Sequence, residues 1–198
     1  MPRTEESNQR IREEQRKRIL DAARKVFAQK GFTDTKMNDV AMAAGVSYGL
    51  AYHYFTNKEE LFTELMKRAL QGYTDLMQYA ENTQSTPWDR LSWLVSQIHK
   101  GAQEDPEYEM LVLQALTNAA IPQEVREMVH KQARLTLAWL KQQIAEGQAA
   151  GQIVSSDPDR LATLLAWCIQ GVAMQAAYPD FSSSSSLTVE DVMRVLKP

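Results

Sequence analysis

The sequence has little of what several large protein classes require. Its 198 residues include one cysteine, Cys168, so no disulfide can form within the chain. A single thiol is typical of a reducing compartment. No apolar run approaches the roughly 18 residues needed to cross a bilayer, and the first eighteen residues are too charged for a secretory signal. We therefore expect a protein of the cytoplasm with no membrane partner.

Residues that mark catalytic or metal sites are equally scarce. The three histidines, His53, His99 and His130, lie far apart and form no HExxH-like pair, and there is no glycine-rich phosphate loop. Cys168 lies in an apolar helical run, where a thiol usually packs rather than reacts. The sequence therefore predicts no enzyme, no metal site and no cofactor. An enzyme remains the main alternative from another functional class.

Strand-like alternation of apolar and polar residues is scarce too, whereas helical periodicity follows nearly the whole chain. The pattern predicts an all-α fold of nine helices, three short ones followed by six longer ones. Start and stop signals place the first four at about Glu13–Lys30, Thr35–Gly45, Ser47–Phe55 and Asn57–Asn82. The later helices begin at Thr86-Pro87, Asp105-Pro106, Pro122, Asp157-Pro158 and Thr188. A linker with five serines, Ser182–Ser186, precedes the last helix.

Charge is distributed unevenly along the chain, although the net charge is only −3. Residues 1–57 carry ten Lys or Arg against seven Asp or Glu, and residues 58–198 carry twelve against eighteen. A basic front on an acidic remainder suits a protein that presents one end to a phosphate backbone. Six of these cations lie in the first eighteen residues: Arg3, Arg10, Arg12, Arg16, Lys17 and Arg18. Four glutamates are interspersed, so this segment is either a basic arm that reaches DNA or a solvated extension.

Two short predicted helices meet at Ala44-Gly45-Val46. Gly45 can adopt the backbone conformation of a sharp turn, and the small Ala41 and Ala44 allow the two helices to cross closely. This is the geometry of a helix-turn-helix, whose second helix enters a major groove of DNA. By spacing alone, a plain helical hairpin explains the pattern equally well.

Residues at several fixed spacings favour the helix-turn-helix. They are Gly31-Phe32, Thr35, Asp39-Val40-Ala41, Ala43 to Ser47, Gly49, Tyr52 to Phe55 and Asn57 to Phe62. From roughly Ile19 to Leu65 this pattern closely resembles the TetR family of regulators. The resemblance implies a three-helix head at residues 1–57 that binds double-stranded, palindromic operator DNA. It also implies a helical body at residues 58–198 that forms a homodimer and binds a small-molecule effector of unknown identity.

The resemblance implies a transcriptional regulator, most often a repressor that a ligand releases from its operator. In that mechanism the fourth helix, which joins body to head, transmits the signal. A protein-interaction module that has lost DNA binding is the other alternative, and it would show no salt-dependent binding to a duplex.

The resemblance also implies where DNA is contacted. Phosphate contacts are expected at Thr35, Lys36 and Lys58. The recognition helix is expected to meet base edges and backbone through Ser47, Tyr48, Gly49, Leu50, Tyr52, His53 and Tyr54. Tyr48 and Leu50 depart from the residues common in the family, so no base preference is implied, although an exposed Leu50 suits a thymine methyl group.

The remainder of the chain is rich in tryptophan, tyrosine and methionine, which line pockets for flat or lipophilic ligands. Ordinary core packing is the alternative for each such residue. The candidate ligand-binding residues are Tyr73, Met77, Trp93, Tyr108, Met110, Gln114, Trp139, Gln170 and Met174. The apolar faces of the last two helices predict a dimer interface, with packing inside one subunit as the alternative. Its candidate residues are Leu161, Leu164, Leu165, Trp167, Val192, Val195 and Leu196.

Overall fold

The computed structural model describes residues 5–177 and 187–198, and these form nine α-helices and no strand. The helices are α1 (Glu5–Asp34), α2 (Met37–Ala44), α3 (Tyr48–Tyr54), α4 (Lys58–Thr83), α5 (Pro87–Glu104), α6 (Glu107–Thr117), α7 (Gln123–Ala149), α8 (Pro158–Ala177) and α9 (Val189–Arg194). The prediction of an all-α fold is confirmed. Arg3 and the serine linker Ser182–Ser186 lie outside the described residues. Within the described part, no helix has the length and apolarity needed to span a bilayer.

The predicted start signals explain where most helices begin. A side-chain oxygen at the N-cap accepts a backbone N–H of the first turn, which no helical carbonyl can satisfy. Four predicted caps do so: Ser47 to Leu50 (3.2 Å), Asn57 to Glu60 (2.7 Å), Thr86 to Asp89 (3.1 Å) and Thr188 to Asp191 (3.2 Å). These local signals are confirmed.

Helix α1 begins earlier than the sequence predicted, at Glu5 instead of about Glu13. Side chains four residues apart stabilise the added turns, because Gln9 donates to Glu13 (2.8 Å) and Arg10 pairs with Glu14 (3.7 Å). Glu14 is therefore a helix-stabilising partner of a basic residue, and Glu13 is one of a glutamine. The segment expected to be an arm or an extension is helical from Glu5 onward.

The start of α2 also differs from the prediction. Thr35 is not its cap, since the Thr35 side chain is buried and its hydroxyl donates backward to the Gly31 carbonyl (2.7 Å). The cap position is Lys36, whose backbone N–H is accepted by the Asp39 carboxylate (3.0 Å). The carboxylate also pairs with Lys30 (2.9 Å), and the hydrogen bond from Lys30 is the main cause that lowers the pKa of Asp39.

The chain divides into two compact units, and the first comprises Met1–Arg68 with Leu111–Arg126. Its centre contains three phenylalanine rings, in which Phe62 meets Phe27 (5.0 Å) and Phe32 (5.1 Å) edge to face. Phe27 and Phe32 also stack on each other, with ring centroids 6.0 Å apart. Gln114 of α6 donates to the Phe27 carbonyl (3.1 Å), which ties this part of α6 to α1.

The second unit comprises Ala69–Met110 and Glu127–Pro198. Its apolar core joins α5, α7, α8 and α9 through fully buried side chains that include Leu91, Leu94, Leu140, Ile144 and Leu165. The predicted boundary after residue 57 separates a DNA-binding region from a ligand-binding and dimerisation region. It stays a prediction.

Candidate DNA interface and polar cluster

Helices α2 and α3 form a helix-turn-helix. Gly45 takes the left-handed conformation (φ 61°, ψ 40°), which glycine adopts at little cost. The amide of Val46 donates to the Ala41 carbonyl (3.0 Å) and closes the end of α2. The inner faces meet through small buried side chains, among them Ala44 and Ala51. The predicted turn geometry is therefore present.

The outer face of α3 carries an exposed pair of tyrosines. Tyr48 and Tyr52 are 53% and 40% exposed, their rings lie 4.7 Å apart, and their hydroxyls hydrogen-bond at 3.1 Å. The hydrogen bond with Tyr48 is the main cause that raises the pKa of Tyr52, so this phenol stays neutral at physiological pH. Gly49 and His53 are exposed beside the pair. Together they offer hydrogen-bond donors, acceptors and aromatic surface.

The other residues assigned to DNA contact on α3 are less exposed or already use their side chains within the fold. Ser47 lies at the exposed N-terminus of α3 but uses its hydroxyl as the helix cap. Leu50 is half-buried, as is Tyr54, whose ring meets His53 edge to face at 5.3 Å. The structure thus brings Tyr48, Gly49, Tyr52 and His53 to the surface of α3.

The predicted phosphate-binding residues fall into three different settings. Lys36 is exposed. Lys58 donates to the Phe32 (2.9 Å) and Thr33 (2.8 Å) carbonyls and lies 4.9 Å from the Phe32 ring centroid, so its ammonium closes the end of α1. Thr35 corrects the expectation, because its buried hydroxyl already bonds Gly31 and its side chain is not placed to meet a phosphate.

Arg18 is a residue whose position the sequence did not indicate. It is exposed, and its guanidinium lies against the turn between α2 and α3, so close that a Cβ added at Gly45 would be 2.6 Å from Nη2. Sequence reasoning placed Arg18 only within a general basic arm. Arg18 directly precedes the buried Ile19 and Leu20 on α1. Its position around the helix therefore signalled that its side chain reaches the surface beside the packed face.

In the second unit, Tyr73 and Gln170 meet on a carboxylate that sequence reasoning missed. Glu109 is 6% exposed, and it accepts from the Tyr73 hydroxyl (2.5 Å) and from Gln170 Nε2 (3.3 Å). These side chains come from α4, α6 and α8. Burial raises the pKa of Tyr73 well above its ordinary value, and the negative charge of Glu109 adds to the effect. An acidic residue between Tyr108 and Met110 was the available signal.

The remaining candidate ligand residues are not all brought together. Met77 and Trp139 belong to the apolar core, where the Trp139 indole donates to Glu81 (2.7 Å). Trp93 stacks on Tyr79 with ring centroids 4.8 Å apart. Gln114 lies in the first unit, where it donates to the Phe27 carbonyl (3.1 Å). The side chains that remain half-buried are those of Tyr108, Met110 and Met174.

The candidate dimer residues separate by burial. The side chains of Leu161, Leu165, Val192 and Leu196 are buried inside the second unit, and Val195 is half-buried. Burial of the first four follows the packing alternative, because their surfaces are already covered. Leu164 (46% exposed) and Trp167 (71% exposed) remain open on α8.

Comparisons with known proteins agree on one class. Residues 19–65 match the family model for bacterial regulatory proteins of the tetR family. The chain is similar to the uncharacterized HTH-type transcriptional regulator YhgD of Bacillus subtilis strain 168, with 30% identity over 159 residues, covering 77% of this chain and 78% of the relative.

Solved structures share the fold at lower identity. The MbdR regulator from Azoarcus sp. CIB superposes with a TM-score of 0.80 and 21% identity, over 92% of this chain and 97% of that one. AibR, solved in complex with isovaleryl coenzyme A and operator DNA, superposes with a TM-score of 0.69 and 18% identity, over 91% of this chain and 94% of that one.

Proposed function

Because this chain belongs to the TetR family of bacterial regulatory proteins, we propose that it is a repressor released from operator DNA by a small lipophilic or aromatic molecule. TetR regulators bind operator DNA as dimers. In the proposed mechanism α3 of each subunit enters a major groove, with the two grooves about one DNA turn apart or a multiple of it. Ligand binding in the second unit lowers operator affinity. The chain performs no catalytic step and acts in the cytoplasm.

The observation that carries this proposal is the exposed outer face of α3. The helix is capped at Ser47 and held on α2 by buried small residues, yet it leaves the aromatic rings of Tyr48 and Tyr52 open. Two neighbouring exposed aromatic rings form a contiguous patch of the kind that meets a partner. A short helix that presents hydroxyls and ring surface next to a glycine suits the floor of a major groove.

The cations that hold the phosphate backbone must come from outside α3, because its seven residues contain no lysine or arginine. Lys36 and Arg18 are the exposed cations that we assign to phosphates, on the N-terminal side of α2 and beside the turn. The third proton of the Lys58 ammonium is available to a further phosphate. Electrostatic affinity therefore comes from a frame of cations around a reading surface that has no lysine or arginine.

The homodimer is proposed to form through the open face of α8. Leu164 and Trp167 are followed one turn later by Gly171, which is exposed and has nothing within 4 Å of its Cβ position. These positions repeat at three and four residues and share one side of the helix. A second copy that covers this face would bury a large aromatic residue against a backbone without side-chain obstruction.

Selection of bound duplexes from random DNA tests the proposal, with Tyr52→Ala as the informative variant. The parent chain is expected to recover a palindrome, and Tyr52→Ala is expected to lose it, because it removes half of the tyrosine pair. Tyr79→Ala is the matched control, since Tyr79 is also an exposed tyrosine (53%, against 40% for Tyr52) but lies in the second unit. Recovery of no common sequence by the parent would reject the proposal. An unchanged palindrome with Tyr52→Ala would remove α3 as the reading surface.

A further inference from the structure

The Tyr73–Glu109–Gln170 cluster contains a buried carboxylate whose partners are all neutral. Glu109 is 6% exposed, and the groups that bond it are one phenol and one amide. Among the residues that the structure describes, no lysine, arginine or histidine pairs with it. A buried charge is costly unless an opposite charge or several strong donors compensate it, and two neutral donors compensate only in part.

The cluster lies beside partly buried apolar residues. Tyr73 and Gln170 are each half-buried as whole residues, whereas the Tyr73 hydroxyl and the Glu109 carboxylate are covered. Tyr73 packs against the apolar core of the second unit, as do Trp93 and Ile169, which are also half-buried. A molecule that entered beside Tyr73 would meet its aromatic ring and a negative group at its inner end.

We propose that the effector of this protein is an organic cation with an apolar body, whose charged group pairs with Glu109 between Tyr73 and Gln170. This inference rests on the proposed function, because it names the ligand class of the regulator. A cation would supply the missing charge, and its low hydration as an organic ion would keep the cost of entry small. A ligand that carries a carboxylate or a phosphate would bring its negative charge next to that of Glu109 and is therefore disfavoured at this site.

Two probes of the same shape and opposite charge separate these cases. Tetraphenylphosphonium and tetraphenylborate both carry four phenyl rings, so they differ in charge while their apolar surface is nearly equal. Binding of each to the full-length protein is measured by calorimetry without DNA. We expect tetraphenylphosphonium to bind at least about tenfold more tightly than tetraphenylborate. Absence of tetraphenylphosphonium binding, or an equal or tighter affinity for tetraphenylborate, overturns the inference.

The variant Glu109→Gln assigns the preference to this carboxylate. Glutamine keeps the shape and accepts from Tyr73, so the preference for the cation is expected to fall to about twofold or less. Glu81→Gln is the matched control, because Glu81 is an exposed carboxylate of the same unit with a neutral indole as its partner (2.7 Å). It is expected to keep the parental preference. A preference that survives Glu109→Gln contradicts the assignment.

A third variant keeps the test decisive if Glu109→Gln does not fold. Tyr73→Phe removes one neutral donor and leaves the charge, so the preference for the cation should persist or grow. Loss of the preference in folded Tyr73→Phe would overturn the role of Glu109. Operator binding of the parent is measured separately: a protein that binds its operator but no cation refutes only this inference, whereas failure to bind any operator refutes the proposed function.

Discussion

Lys58 shows how one side chain can serve both the fold and the DNA. Its ammonium holds two carbonyls at the end of α1, Phe32 and Thr33, while the side chain lies over the Phe32 ring. These contacts place the start of α4 against the end of α1. A phosphate contact would use only the remaining proton, so the structural contribution comes first.

The substitution Lys58→Met tests that structural contribution. Methionine keeps the apolar stem but leaves two carbonyls without their charged donor, so we expect a loss of roughly 1 kcal/mol in the free energy of unfolding. Urea unfolding without DNA, at one fixed protein concentration, measures it. Lys67→Met, at an exposed position of the same helix, should stay within about 0.5 kcal/mol of the parent. Equal stability of parent and Lys58→Met would leave Lys58 as a phosphate ligand alone.

Gly45 is constrained by its backbone more than by its neighbour. Its φ of 61° is unfavourable for a residue with a Cβ, so Gly45→Ala is expected to cost about 1–2 kcal/mol of unfolding free energy. The nearby Arg18 Nη2 is the end of a flexible side chain and can move aside. The double variant Arg18→Ala/Gly45→Ala should therefore lose as much relative to Arg18→Ala. If removing Arg18 restores the stability, crowding rather than φ explains the glycine.

At the scale of the helices, the features that the sequence predicts are those decided by interactions within one helical turn. The caps at Ser47, Asn57 and Thr188 act within one helical turn, so their sequence signals decide the helix starts. Thr35 fits the same pattern, but its hydroxyl donates to the Gly31 carbonyl of the preceding helix instead of accepting an N–H of α2. A cap signal cannot reveal which of two partners the hydroxyl bonds.

The candidate sites depend on contacts between distant parts of the chain, which helical periodicity does not encode. Arg18 reaches Gly45, and Glu109 collects donors from α4 and α8. Tyr48 and Tyr52 are exposed as expected from the family pattern, and their mutual hydrogen bond follows from a spacing of four residues, whereas Tyr54 is half-buried. Burial likewise separated Leu164 and Trp167 from the other apolar residues only in the fold.

Helix α3 can be tested by a change that separates stability from binding. Gly49 is helical, exposed and without neighbours at its Cβ position, so Gly49→Ala should stabilise the protein by about 0.5 kcal/mol. The same methyl group lies on the proposed reading surface and should weaken operator binding about tenfold. Gly72→Ala, in an open position of α4, should give the stabilisation alone. Unchanged operator affinity of Gly49→Ala would place Gly49 away from DNA.

At the scale of the whole molecule, the open face of α8 predicts how two copies associate. Glutamate at Trp167 would place a charge in the centre of the proposed interface, so Trp167→Glu is expected to shift the protein from dimer to monomer. Sedimentation equilibrium at a fixed concentration measures the shift. Leu135→Glu, at a leucine of α7 that is 52% exposed, should leave the dimer intact. A dimer that withstands Trp167→Glu but dissociates with Leu135→Glu would move the interface to α7.

The central claim is that α3, which has no lysine or arginine and is framed by the cations Lys36 and Arg18, reads a specific operator. The most direct measurement is the affinity of the parent protein for the selected palindrome and for a scrambled duplex across a salt series. We predict that the palindrome binds at least about a thousandfold more tightly, and that its log affinity falls linearly with log salt concentration. Equal affinity for the two duplexes, or an affinity that salt does not change, would contradict the account.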